Sequence, residues 1–157
     1  MKAPVLKPYF RLARGLVTAR RPVYLHFAVT HRCNLRCRMC AAWRLADEDH
    51  EVRIQEIRRI AAAFARLGCA LVSLGGGEPF LREDLPDVIA AFAVEGIRVR
   101  VLTNGVAPDT ATLRRAFAAG LADVSISLDS LEPRVQGLID GDPDSLHRKL
   151  DTLAALL

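Results

Sequence analysis

From Pro22 onward, short apolar runs suited to buried strands alternate with longer stretches of helical spacing, and the alternation repeats four times. The strand-like runs cover residues 23–29 (VYLHFAV), 70–74 (ALVSL), 97–102 (IRVRVL) and 124–128 (VSISL), each short enough for a buried parallel strand. Helical spacing covers residues 52–67, 84–95, 110–119 and 144–157. Gly68, Gly96 and Gly120 follow three of these helices, where a left-handed cap is wanted. Asp109, and Asp142 or Asp144, stand where N-caps are wanted. Consecutive right-handed βα crossovers dictate an α/β fold on parallel strands, either an open sheet or one wall of a barrel.

The 157 residues fit one domain, and no apolar run reaches the roughly 18 to 20 residues of a membrane-spanning helix. The positive charge is local. Lys2, Lys7, Arg11, Arg14, Arg20 and Arg21 precede Pro22 with no acidic residue among them, leaving 16 basic residues against 18 acidic ones in the body. A slightly acidic body argues against nucleic-acid binding, which calls for a basic face. Residues 1–22 thus form a basic arm. Tyr9, Phe10, Leu12, Leu16 and Val17 give it a helical stripe, expected to pack on the body in preference to an acidic partner or a membrane surface. The arm has no uninterrupted apolar segment or small-residue cleavage site, so a cytoplasmic location with reduced thiols is expected. The chain ends in LAALL inside the fourth helical pattern, without a capping glycine. Four parallel strands leave two unpaired edges, which invite self-association or further sequence.

The segment HRCNLRCRMC places Cys33, Cys37 and Cys40 in C-x3-C-x2-C spacing directly after the first strand. Thiolates are the usual ligands of iron–sulfur clusters, and three of them leave one iron of a cubane open to a small-molecule donor. Two other readings use the same residues. Cys33, Cys37 and Cys40 with His31, His26 or His50 would make a Cys3His zinc site. Cys37 and Cys40 alone form the C-x-x-C of a redox dithiol, which leaves Cys33 unused. Cys69 opens the second strand and reads as a small buried apolar residue.

After the second strand comes GGGEP, residues 75–79, where glycines free the backbone and Pro79 stiffens it. It is not a phosphate-binding P-loop, because no Gly-Lys-Ser/Thr follows. Thr103, Asn104 and Gly105 follow the third strand. Around the fourth, Ser125, Ser127 and Asp129 alternate with Val124, Ile126 and Leu128, so three polar side chains share one face. The outer face of a βα unit packs on helices, so the polar face is expected to line the interior, where a ligand satisfies it. All four unusual segments fall at the C-terminal ends of strands, the rim where α/β folds assemble their sites.

Together Cys33-x3-Cys37-x2-Cys40, Gly76-Gly77-Glu78-Pro79, Thr103-Asn104-Gly105 and Ser127-Leu128-Asp129 resemble the ordered motifs of radical S-adenosylmethionine (SAM) proteins over residues 23–157. Residues 74–85 and 124–141 are most similar to the branch of molybdenum cofactor biosynthesis proteins and SPASM-type peptide and heme-maturation enzymes. The resemblance implies a partial (β/α) barrel of about four units, where the family usually has six. It implies a [4Fe–4S] cluster on Cys33, Cys37 and Cys40, with the amino and carboxylate groups of SAM on the fourth iron. Gly76, Gly77 and Glu78 would offer backbone groups to the SAM amino group, and Ser127, Asn104, Asp129 and Thr103 would contact its carboxylate or ribose. The implied reaction is reductive cleavage of SAM to methionine and a 5′-deoxyadenosyl radical that takes hydrogen from a peptide, tetrapyrrole or small molecule. A donor such as flavodoxin or ferredoxin would supply the electron. No acid–base pair is needed for initiation, so no catalytic side chain is assigned. Met39 stands where many relatives have an aromatic residue against adenine, a role its thioether can fill. A non-catalytic remnant that binds cluster or SAM is the competing function, followed by a zinc-stabilised interaction module.

Overall fold

A computed structural model describes residues 6–18, 22–45 and 51–157. Lys2, Arg20 and Arg21 of the basic arm and the candidate ligand His50 lie outside the described residues, as does the side chain of Leu16. The elements run α1 (Leu6–Thr18), β1 (Tyr24–Thr30), α2 (Ile54–Leu67), β2 (Leu71–Gly76), α3 (Leu85–Val94), β3 (Arg98–Thr103), α4 (Thr110–Ala118), β4 (Leu121–Ile126), α5 (Pro133–Asp140) and α6 (Ser145–Leu156). Short 3-10 turns lie at Ala42–Leu45 and Pro79–Leu81. Among the described residues no helix is long and apolar enough to cross a membrane.

The strands form one parallel sheet in the order β1-β2-β3-β4, with Leu25 beside Val72, Val72 beside Val99 and Val99 beside Leu121. Successive crossovers thus lay each new strand beside the last, as the alternating pattern requires. The expected α/β fold of four parallel units is the observed one. Val72 and Leu74 of β2 and Val99 and Val101 of β3 bury against Ile57 and Ala61 of α2 and Val88, Ile89 and Phe92 of α3. Phe27 of β1 meets Phe92 with ring centroids 6.0 Å apart. Cys69 is wholly buried, as expected of a small apolar residue.

Local chemistry sets the helix ends. Gly68 takes a left-handed φ of 98° after α2, and the amides of Gly68 and Cys69 close on the carbonyls of Ala65 and Phe64, a Schellman cap. The Asp109 carboxylate accepts from the Thr112 amide at 2.7 Å and starts α4.

Three expectations need correction. β4 begins at Leu121, three residues before the run 124–128, and α5 was not foreseen. The arm helix α1 packs on the body through Arg11 and Gly15, while Tyr9, Phe10, Leu12 and Val17 of the expected stripe are exposed. Arg11 Nη1 lies 3.1–3.3 Å from the carbonyl oxygens of Cys69, Glu95 and Gly96. A Cβ at Gly15 would collide with the Val23 side chain, so glycine permits the close approach.

Candidate cofactor pocket

The segments that follow β1 to β4 meet at one rim of the sheet. The cysteine loop after β1 is seated on Leu35, which is buried, and is tied to the end of α5. The Arg36 amide donates to the Asp140 carbonyl and the Arg38 amide to the Ile139 carbonyl, each at 3.2 Å. The thiols are individually placed. Cys33 Sγ accepts from the Leu35 amide at 3.5 Å and lies 3.7 Å from Asn104 Nδ2, and Cys40 Sγ accepts from the Ala42 amide at 3.4 Å. Cys37 Sγ donates to Asp140 Oδ1 at 3.7 Å.

These groups open on a cavity of about 430 Å³ that gathers Cys33, Cys37, Cys40, Gly76, Gly77, Thr103, Asn104, Ser127 and Asp129. Met39 also lines it, in position to cover a planar ligand. Of the other zinc candidates, His26 lines the cavity, whereas His31 is exposed and outside it. Ser125, grouped with Ser127 and Asp129 on the expected polar face, is exposed on β4 and does not line the cavity. Its strand is an edge of the sheet, and among the described residues no further strand lies beside it.

The glycine-rich turn has a structural cause of its own. Gly76 has φ 116°, and a Cβ there would collide with the Thr30 carbonyl oxygen, while one at Gly77 would collide with that of Arg32. The amides of Gly77 and Glu78 donate to those two carbonyls at 2.7 Å, so the turn after β2 is stitched flat against the start of the cysteine loop.

Glu78 does not line the cavity. Its fully buried carboxylate accepts from Thr103 Oγ1 at 2.8 Å, from the Phe80 amide at 3.1 Å and from the Asn104 amide at 2.7 Å. It ties the end of β2 to the end of β3 and thereby sets Asn104, whose Nδ2 reaches Asn34 Oδ1 at 2.7 Å and Cys33. Burial pushes its carboxyl above the usual range, against the pull of these hydrogen bonds.

Sequence reasoning missed Asp140 and Lys149, which also line the cavity. Lys149 Nζ lies 2.7 Å from Asp140 Oδ2 and donates to the Ser127 carbonyl at 2.8 Å, and Gln136 Nε2 donates to Asp140 at 2.8 Å. Their signals are indirect: Lys149 falls on the buried face of α6 between Leu146 and Thr152, and Asp140 precedes Gly141 at a helix end. Burial pushes the Cys37 thiol up to about 11, and the Asp140 carboxylate adds to the shift.

Among the described residues no three His, Cys, Asp or Glu side chains converge where a single ion would sit. A cubane makes a different demand, since each thiolate holds a separate iron at its own corner. Three thiols facing one cavity, two of them receiving N–H donors, fit that demand in kind.

A parallel βα sheet with thiols, a glycine-rich turn and polar strand ends around one cavity defines an α/β protein with a candidate cofactor site at the rim of its strands. The family model of the radical SAM superfamily matches residues 27–157, and the chain belongs to that superfamily of enzymes. It is 40% identical over 129 residues to GTP 3′,8-cyclase of Tolumonas auensis and 34% identical over 128 residues to that of Haemophilus ducreyi. Those alignments take in 79% and 78% of this chain but 38% and 37% of the relatives, so the chain spans under two fifths of their length. In fold it is similar to Streptococcus suis SuiB bound to S-adenosylmethionine, with a TM-score of 0.73 at 21% identity over 92% of this chain and 34% of that one. Methylornithine synthase (PylB) gives 0.69 at 17% identity over 96% of this chain and 47% of its own.

Proposed function

We propose that this chain carries the cofactor-binding core of a radical SAM enzyme, with Cys33, Cys37 and Cys40 as the three protein ligands of a [4Fe–4S] cluster and SAM in the adjoining cavity. The observation that carries this reading is the shared cavity, in which three thiols, the turn at Gly76 and Gly77, and the polar groups of Asn104 and Ser127 face one another. Held by Cys33, Cys37 and Cys40 beside that cavity, the cluster and SAM would supply the one-electron reductive chemistry that a protein side chain cannot.

The chain's own residues bind and orient. The turn at Gly76 and Gly77 leaves no side chain between β2 and the cavity, giving a ligand access to backbone. Asn104 and Ser127 present polar groups for the amino-acid end or ribose of SAM, with Thr103 and Asp129 beside them. Met39 covers an adenine face. Glu78 acts through Asn104, as a positioning residue. SuiB, which shares this fold, has been crystallised bound to S-adenosylmethionine, in keeping with a SAM site on such a fold.

The test is anaerobic reconstitution, iron and sulfide analysis, then dithionite and SAM with 5′-deoxyadenosine measured. Four irons and four sulfides per chain are expected, with 5′-deoxyadenosine formed and both lost in Cys37→Ala. Stoichiometric zinc without labile sulfide would overturn the reading, and a loaded cluster that yields no 5′-deoxyadenosine would point to a binding module.

A further inference from the structure

The helix α1 is amphipathic, yet it is mounted with its apolar side outward. Leu6, Phe10 and Val17 fall within roughly 40° of one another at 3.6 residues per turn, and they are 77%, 73% and 86% exposed. Tyr9 and Ala13 lie beside them on the same arc and are exposed too. The opposite side holds the helix to the body: Arg11 is engaged by three backbone carbonyls, and Gly15 lies against Val23. Folding therefore leaves Leu6, Tyr9, Phe10, Ala13 and Val17 in water. Such a stripe standing in water is a mark of an interaction site.

Charge says what the stripe meets. Lys7 and Arg14 border it, and α1 contains no acidic residue. Beside Phe10 a small cavity of about 130 Å³ is lined by Arg11, Arg14 and Arg66, the last from the final turn of α2. Apolar and aromatic side chains along one arc, cations at its margin and a cationic recess next to it match an anionic bilayer surface. There apolar groups enter the acyl boundary and lysine and arginine meet phosphates. A protein partner would instead need shape-matched pockets for Leu6, Phe10 and Val17, whereas lipid accepts them along a convex helix.

We propose that α1 is an interfacial helix that docks this protein on anionic phospholipid, with the Arg11, Arg14 and Arg66 recess taking a headgroup phosphate. The orientation leaves the cofactor pocket free. Arg11 binds carbonyls just before β2 and β3, and Val23 precedes β1, so α1 lies at the N-terminal ends of the strands. The cysteine pocket lies at their C-terminal ends, about 20 Å away for strands of this length. The docked protein keeps that rim toward solvent. The inference stands apart from the cofactor reading, since none of its residues lines that pocket.

The test is cosedimentation of the full chain with vesicles of phosphatidylglycerol mixed with phosphatidylcholine, and with phosphatidylcholine alone. Binding is expected only to the anionic vesicles and is expected to fall with added salt. Lys7→Gln and Arg14→Gln each reduce it roughly fivefold, and the doubly substituted Phe10→Asp, Val17→Asp protein loses it. Both of these apolar sites are exposed, so the circular dichroism of that protein should match the parent. Equal binding by the Asp-substituted protein, equal binding to neutral vesicles, or no binding at all would each overturn the proposal. So would inorganic phosphate binding without vesicle binding. A dimer by light scattering that disappears in the Asp-substituted protein, with no vesicle binding, would assign the stripe to a second copy of the chain instead.

Discussion

Lys149 Nζ and Asp140 Oδ2 meet at 2.7 Å with both side chains almost fully removed from water, and Asp140 Oδ1 faces the Cys37 sulfur. Burial pushes the Asp140 carboxyl up, but hydrogen bonds from Lys149 and Gln136 outweigh it and hold the carboxyl below its usual value. A buried carboxylate without its ammonium is costly, so Lys149→Met should destabilise the protein by about 3–5 kcal/mol. Combining it with Asp140→Asn removes the orphaned charge and should recover part of that loss. Urea unfolding of the two single variants and the double measures the coupling; additive losses would mean that the pair does not act as a unit.

Burial, with the same carboxylate adding to it, holds down the reactivity of Cys37. With its thiol pushed up to about 11, about one Cys37 in a thousand is thiolate at pH 8 in the metal-free protein. Removing the negative charge in Asp140→Asn lowers that value, so iodoacetamide should modify Cys37 several-fold faster in the variant, read by mass spectrometry of the Cys37 peptide. Metal ligands bind as thiolates, so loading this site should release protons and weaken as pH falls. An unchanged alkylation rate would remove Asp140 as a cause of the shift.

What could be read in advance, and what could not, follows from how local each signal is. The cysteines and Gly76-Gly77 were legible because their spacing is short and their residue types are rare. The start of β4 was not, because Asp123 looks like a loop residue until its pairing with Arg98 and Arg100 of β3 is seen. Helix α5 was invisible to hydrophobic periodicity because its polarity is reversed. Gln136 and Asp140 are buried, while Val135 and Leu138 face out. The arm helix misled in the same way, with Arg11 inside and Phe10 outside. Asp140 and Lys149 stood over 100 residues from Cys37, and only the tertiary fold brings α5 and α6 back to the first loop.

Glu78 links two strand ends, and its loss should be felt at both. Glu78→Ala orphans the donors of Thr103, Phe80 and Asn104, at about 1–3 kcal/mol for each. Glu78→Gln keeps the shape but turns an amide toward one of those donors, so it should cost less than the alanine variant. The pH dependence separates them further. Burial raises the folded-state value above the unfolded one, so the glutamate favours folding at acid pH and loses that contribution as pH rises through its folded value. The glutamine variant carries no such slope, and the gap in unfolding free energy between parent and Glu78→Gln should narrow from about pH 4 to pH 8. A constant gap would show that Glu78 titrates alike in both states.

Asp84 makes the opposite case. The buried Arg82 guanidinium donates to the carbonyls of Val29 and Val52 at 2.8 Å, and its Nε and Nη2 reach the two Asp84 oxygens at 2.6 and 3.0 Å. Arg82 thereby ties the end of β1 and the entry to α2 to the start of α3. Its hydrogen bonds hold the Asp84 carboxyl below the ordinary value. The folded-state value lies under the unfolded one, so this stabilisation is present above about pH 4 and is lost as pH falls through the folded value. Asp84 is partly open to solvent, which screens the pair, so Asp84→Asn should cost about 1 kcal/mol at neutral pH. The difference should vanish in acid, where the parent's carboxyl is protonated too. Parallel denaturation series on parent and variant measure it, and a deficit that persists undiminished at low pH would assign the cost to packing and not to charge.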